Sequence, residues 1–270
     1  MKFYATAAFL LFHLFALAQD GYEIKVTFAP FKNEYIYLGH YYGKQLPIVD
    51  SVKLNEKGEG TFKGPKKLGG GIYLVGYPDR SRHFEVLIDK AQKFSIAADT
   101  ANIQNVMFTG SPENTAFKEY QAFMTMHGRQ LDELGRQRQV NKQDSAKLTQ
   151  QMIDLNAKIK KYRTDLIAKE PAGILAALLT AMREPEVPQN RPAAAKDSMF
   201  AYKYYKAHYW DDVNFYDERL ARTPFFEPKL QRYFDQVVYP SADSVNKEID
   251  HMLGYASINE EMQKFLLLHF

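Results

Sequence analysis

The sequence predicts an α+β protein, an N-terminal antiparallel β-sandwich followed by an all-helical domain that opens with a long antiparallel helical hairpin. Three observations carry this. Apolar residues recur at a spacing near two from residue 22 to about residue 110, and at three or four after Ser111. Glycine and Asn/Asp/Lys clusters cut the first part into about eight short runs whose connections are too short for crossover helices, so the sheets are expected to be mainly antiparallel. Two long apolar stripes at helical spacing follow, parted by a polar break at 139–144.

Segment 22–28 alternates cleanly, with Ile24, Val26 and Phe28 on one face and Glu23, Lys25 and Thr27 on the other. Segment 34–40 reads as the second strand. Segments 50–54 and 60–62 flank Asn55-Glu56-Lys57-Gly58, whose glycine accepts the positive φ of a tight turn, and a hairpin is expected there. Segments 72–77, 84–88, 94–98 and 106–109 complete a sandwich domain over 19–110.

Ser111-Pro112-Glu113-Asn114 opens the helical domain, 111–270: a hydroxyl accepts a backbone N–H, and proline takes the first helical position, where no donor is lost. Phe117, Tyr120, Met124, Leu131 and Leu134 form the first stripe. Leu148, Met152, Leu155, Ile159, Tyr162 and Leu166 form the second, which Glu170-Pro171 ends. The hairpin, 113–170, has seams narrow enough for coiled-coil packing, and a homo-oligomer through this arm is one expectation. In the helical remainder, 173–270, segment 173–183 suits a buried helix and 184–192, with three prolines, an exposed loop. Segments 228–238, 243–255 and 259 onward are helical, with Ser241 and Ser257 nearby as caps.

The opening 1–18 reads as a signal peptide: Lys2, then an apolar stretch ending in Ala16-Leu17-Ala18, with cleavage expected between Ala18 and Gln19. That stretch is shorter than the roughly 20 residues of a membrane-spanning helix, so no transmembrane segment is expected after cleavage. Bacterial lipid attachment needs a cysteine where Gln19 stands. The expected location is periplasmic or otherwise exported, without an N-terminal lipid anchor. The apolar run 260–270 closes without glycine or proline and is expected to be covered by a downstream domain.

Lys plus Arg number 35 against 32 Asp plus Glu, a net charge of +3 with dispersed basic residues, which gives no footprint for nucleic acid. With no cysteine, the chain has no thiol nucleophile, Cys-x-x-Cys centre or thiolate metal site. No catalytic residue, cofactor or metal is assigned. The densest polar cluster, His208-Tyr209-Trp210-Asp211-Asp212 with Asp217-Glu218-Arg219, could join imidazole and carboxylates around a cation, but it lacks His-x-x-x-His spacing and an Asp-rich calcium loop. A helix end with solvated acids and Trp210 as a packing anchor is the better reading, and Trp210, Asp211, Asp212, Glu218 and Arg219 remain candidates for interaction. Tyr35, Tyr37, Tyr41 and Tyr42 suit strand packing more than a glycan platform. Lys66-Lys67-Leu68-Gly69-Gly70-Gly71 lacks the ending of a phosphate loop and precedes a strand, so it reads as a flexible turn. Asp79-Arg80-Ser81-Arg82-His83 reads as a solvated tip.

Two stretches resemble a known family. Tyr37-Leu38-Gly39-His40-Tyr41-Tyr42-Gly43-Lys44, continuing through Val49-Asp50-Ser51-Val52 to Gly71-Ile72-Tyr73-Leu74, is similar to the N-terminal β-domain of exported TlpA-like thiol-disulfide oxidoreductases. Trp210-Asp211-Asp212-Val213-Asn214-Phe215, Asp217-Glu218-Arg219-Leu220 and Arg222-Thr223-Pro224-Phe225-Phe226 are similar to the helical domain of unknown function that follows it. In that family a thioredoxin-like domain of the peroxiredoxin-related (AhpC/TSA) type comes next and carries the Cys-x-x-Cys pair, so no redox residue transfers to any position here. The resemblance implies a noncatalytic accessory or scaffold region that positions the redox domain or recognises its periplasmic partner proteins. The alternative is an independent binding module for glycan or peptide with an oligomerising arm. A hydrolase built on His208 and its acids ranks last.

Overall fold

The computed structural model describes residues 21–188 and 198–270. The expected cleavage point at Ala18 and Gln19, and the end of the proline-rich loop, lie outside the described residues. Eight strands form two four-stranded sheets: β1 (Tyr22–Ala29), β2 (Tyr35–His40), β3 (Ile48–Lys53), β4 (Glu59–Gly64), β5 (Gly71–Gly76), β6 (His83–Ile88), β7 (Lys93–Asp99) and β8 (Met107–Thr109). The first sheet runs β4-β1-β7-β8 and the second β3-β2-β5-β6. Their inner faces enclose an apolar core that includes Ile24, Phe28, Leu38, Phe62, Tyr73 and Val86. Each such fully buried side chain contributes roughly 1.5–3 kcal/mol.

Two strand relations differ from expectation. β1 and β7 pair in parallel, Ile24 opposite Phe94 and Val26 opposite Ile96. Between β1 and β7 the chain visits the second sheet twice, as β2–β3 and β5–β6, with β4 between them in the first, so strands do the crossing that a helix does in a βαβ unit. The Asn55–Gly58 turn forms, with Gly58 at φ 76° and its N–H bonded to the Asn55 carbonyl at 3.0 Å. Yet β3 and β4 lie in different sheets, and β4 pairs with β1. The turn hands the chain across the sandwich, and no hairpin forms.

The helical domain begins as predicted. Ser111 caps α1 (Pro112–Val140), and α2 (Ser145–Lys169) runs back beside it. Then come α3 (Ile174–Ala181), α4 (Phe200–His208), a 3₁₀ turn (Glu218–Arg222), α5 (Phe226–Arg232) continued by a π-helical turn (Tyr233–Val237), α6 (Ala242–Ala256) and α7 (Glu260–His269). Ser241 caps α6, whereas Asn259, rather than Ser257, caps α7 by accepting from the Met262 N–H at 2.8 Å. No described helix is long and apolar enough to cross a membrane.

The outer face of the second sheet seats the helices. β5 is buried on both sides: Tyr73 and Val75 point into the sandwich, and Ile72, with Leu87 of β6, packs against Phe117, Tyr120, Ile174 and Leu178. The fully buried Asn114 accepts from the Leu87 N–H at 2.7 Å and donates to the Leu87 carbonyl at 2.8 Å, so its amide pairs with β6 as a neighbouring strand would.

Candidate functional site

The stretch 210–222 has two ends that do different things. Its C-terminal half, the 3₁₀ turn with the preceding Asp217, sits on the mouth of β5. Arg219 grips Asp217 with two parallel bonds, Nε to Oδ1 at 2.7 Å and Nη2 to Oδ2 at 2.6 Å. Its Nη1 donates to Asp89 Oδ2 at 2.9 Å and to the Ala172 carbonyl at 3.2 Å. The same Asp89 oxygen accepts the Ile174 N–H at 3.0 Å, so one carboxylate at the end of β6 closes the first turn of α3 and anchors Arg219. The hydrogen bonds it donates to Asp217 hold the Arg219 guanidinium above its already high range, against the cost of its burial. Burial raises the Glu113 carboxyl, and repulsion from nearby Asp89 adds to the shift.

Arg222 makes the second contact, with Nη2 at 2.9 Å from Glu261 of α7 and Nη1 at 3.6 Å from Glu218 and 3.5 Å from the Gly70 carbonyl. Glycine is required beneath these arginines. A Cβ on Gly70 would stand 2.7 Å from Arg219 Cγ and Cδ, and one on Gly71 would overlap Arg222 Cβ and lie 3.0 Å from its carbonyl oxygen. The glycine run is therefore a floor for the arginines, an assignment the sequence reading missed. Its signal was three glycines directly before a strand, the composition of a close backbone approach. Both arginines are paired with carboxylates, Arg219 with Asp89 and Asp217 and Arg222 with Glu218 and Glu261, so the arrangement welds the two domains.

The N-terminal half, Trp210 to Tyr216, floors a cleft of about 570 Å³ between α4 and α6. Trp210 packs edge-on against Tyr209, Tyr233 and Phe215, as the anchor reading expects. Its buried indole N–H has no hydrogen-bond partner. Glu248 stands at the wall of the cleft, 2.8 Å from Lys206 Nζ and accepting from the Tyr233 hydroxyl at 2.9 Å. Burial opposes ionisation of Glu248, but the bonds from Lys206 and Tyr233 outweigh it and hold the carboxyl below its usual range. The partly exposed His208 closes α4 and meets Asp211 at 2.6 Å, while Asp212 lies 3.8 Å from Arg183. The five candidates thus separate: Trp210 and Asp211 at the cleft, Asp212 beside Arg183, Glu218 and Arg219 at the weld. Among the described residues no group of three or more His, Cys, Asp or Glu side chains is placed to hold a metal ion.

One further group, Lys229, escaped the sequence reading. Lys229 is 2% exposed, and its ammonium donates to the Ala181 and Arg183 carbonyls at 3.0 and 3.2 Å, satisfying the open C-terminal end of α3. The Tyr209 ring lies 4.8 Å from it, and burial lowers its pKa. No helical periodicity marks a lysine for the core. Of the tyrosines, Tyr41 donates to Glu85 of β6 at 2.7 Å within the sandwich, Tyr42 packs edge-on against Phe265 of α7 and so joins the domains, and Tyr37 lies under Arg80.

Residues 22–117 match a family model described as Domain of unknown function (DUF4369), and residues 135–269 match one described as Domain of unknown function (DUF5106). The first match runs past the sandwich to Phe117, taking in the turn of α1 that Asn114 ties to β6. No curated protein and no solved structure matches the chain. The second match covers half of the 270 residues and contains both the cleft floor and the paired arginines, and the chain belongs to the DUF5106 family.

Proposed function

We propose that the chain is a noncatalytic accessory region of an exported thioredoxin-like thiol-disulfide oxidoreductase, which positions the redox module or the proteins it acts on. The carrying observation is the weld. Arg219 and Arg222 tie β5, β6, α3 and α7 into one body, the property required of a scaffold that fixes the distance between a redox centre and its substrate. The sequence resemblance to TlpA-like proteins supports the same reading, as does the frequent occurrence of DUF4369 in TlpA-like proteins. A docking face is available on the last helix and the turn before it, where Ile258, Leu267 and Leu268 are 79%, 60% and 72% exposed. The chain's lack of cysteine leaves the redox step to the module it holds.

The test adds a separately purified TlpA-like thioredoxin domain and measures binding by calorimetry and disulfide reduction by turbidity. Saturable binding that Leu268→Asp weakens at least tenfold supports the reading. Absence of binding, with an unchanged reduction rate, overturns it.

A further inference from the structure

We propose that the cleft between α4 and α6 is an oligosaccharide-binding site. This goes beyond the scaffold reading and does not depend on it. The cleft combines two kinds of surface that a pyranose needs together. Its aromatic part comes from Tyr202, Trp210, Phe215, Tyr216, Tyr233 and Tyr255. Three of these rings reach solvent: Tyr216 is 60% exposed, Tyr255 55% and Tyr202 38%. Tyr255 lies over Phe215, ring centroids 5.6 Å apart at 29°, which fixes the plane it offers at the mouth. The C–H face of a sugar ring is apolar and flat and packs on such a plane, whereas an ion or a small anion gains nothing from it.

The polar part is a rim of Lys206, Asp211, Asn214, Glu248 and His251. It offers both donors and acceptors, as a ring of hydroxyls requires, since each hydroxyl donates once and accepts up to twice. Glu248 is held in place by Lys206 and Tyr233, with His251 Nδ1 at 4.0 Å, so the rim is oriented before any ligand arrives. Its charges nearly balance, which suits a neutral ligand. The volume, about 570 Å³, lies within the range that holds small ligands.

An extended peptide fits less well. Both long walls are helices whose backbone groups are bonded internally, so the cleft presents no row of free N–H and C=O groups for strand addition. A proline-rich peptide, which needs no such row, is the competing occupant that the experiment separates.

Trp210 is the only tryptophan of the chain and lies in the cleft, so its emission reports occupancy directly. The whole protein is titrated with neutral tetrasaccharides of glucose, mannose, xylose, galactose and N-acetylglucosamine, and in parallel with a proline-rich peptide. The expected result is a saturable change in Trp210 emission with at least one saccharide at millimolar concentration or below. Tyr255→Ala, at an exposed ring, weakens it at least tenfold with an unchanged thermal midpoint. Ile153→Ala, on the exposed face of α2, leaves binding unaltered. A response to the peptide alone, no response to any saccharide, or equal binding by Tyr255→Ala overturns the proposal.

Discussion

The weld and the arm are both contacts of the helical domain, and they hold by opposite means. At the weld, β5, β6, α3 and α7 meet through two arginines, and little of Arg219, Asp89 or Asp217 reaches water. In the arm, α1 and α2 meet along a seam in which few side chains are buried: Asn114, Phe117, Tyr120 and His127 on α1, Leu148 and Ile159 on α2. The first three of these belong to the sheet contact, so beyond Tyr120 the hairpin relies on stacked rings such as Phe123 on Tyr162, 3.9 Å between centroids. The difference teaches that the cooperative unit of this protein ends partway along its longest helix. Damage at the weld is felt throughout the domain pair, and damage in the arm stays local.

The strongest way to break that contrast is Arg219→Met. It leaves the largely buried Asp89 and Asp217 without their cation, and about 3 kcal/mol of stability is expected to be lost from the whole unit, read by urea unfolding of both β and helical signals together. Gly71→Ala, which sets a methyl group against Arg222, costs about 1–3 kcal/mol in the same experiment. Separate unfolding of β and helical signals in the parent protein would refute the single unit.

Phe123→Ala sharpens the other side. Removing the ring between His127 and Tyr162 is expected to raise hydrogen exchange across the outer arm by the equivalent of about 1–2 kcal/mol, with protection of β5 and β6 unchanged. Loss of protection in the sheet would show that arm and weld are coupled after all.

A smaller effect follows from His40, which lies beside the weld. Burial holds its pKa below 6.5, Arg222 adds to the depression, and the Tyr41 carbonyl and Glu261 oppose it. Because the folded pKa is the lower one, the unfolded chain takes up a proton that the folded chain refuses as pH falls below about 6.5, and stability drops with it. Replacing the imidazole in His40→Gln is expected to flatten this limb of thermal midpoint against pH; an unchanged slope would place the titration elsewhere. The least effect belongs to Lys161→Ala on the solvent face of α2, where the exposed pair with Asp165 is worth about 0.5 kcal/mol or less by denaturant midpoint.

What was legible in the sequence is what local chemistry decides. The change of period at Ser111, the Ser111–Pro112 start, the break before Asp144 and the stop after Lys169 are set by residues within a turn of each other. Strand existence was legible for the same reason, whereas strand partners were not. Asn55–Gly58 has the composition of a hairpin turn and also serves as a crossing between sheets, because the inward alternation of β3 and β4 suits either sheet of a sandwich. Of the candidate residues, Trp210 was recognised as an anchor from its size. The partners of Arg219 lie 130 and 47 residues away as well as two, and only the last is visible in one stretch of sequence. Lys229 was invisible because a charged side chain in a core is explained only by the helix end it satisfies.

The geometry of α1 gives the hairpin a mechanical character. Its 29 residues make a rod about 43 Å long, clamped to the sheet at Asn114 and Phe117 and free of it toward Val140. Such a rod is a lever with a short root and a long reach. A tilt of about 5° at the clamp would displace the tip, about 34 Å beyond Phe117, by roughly 3 Å. The amide of Asn114 sits at the root of that lever, so any tilt there would be amplified where the arm ends.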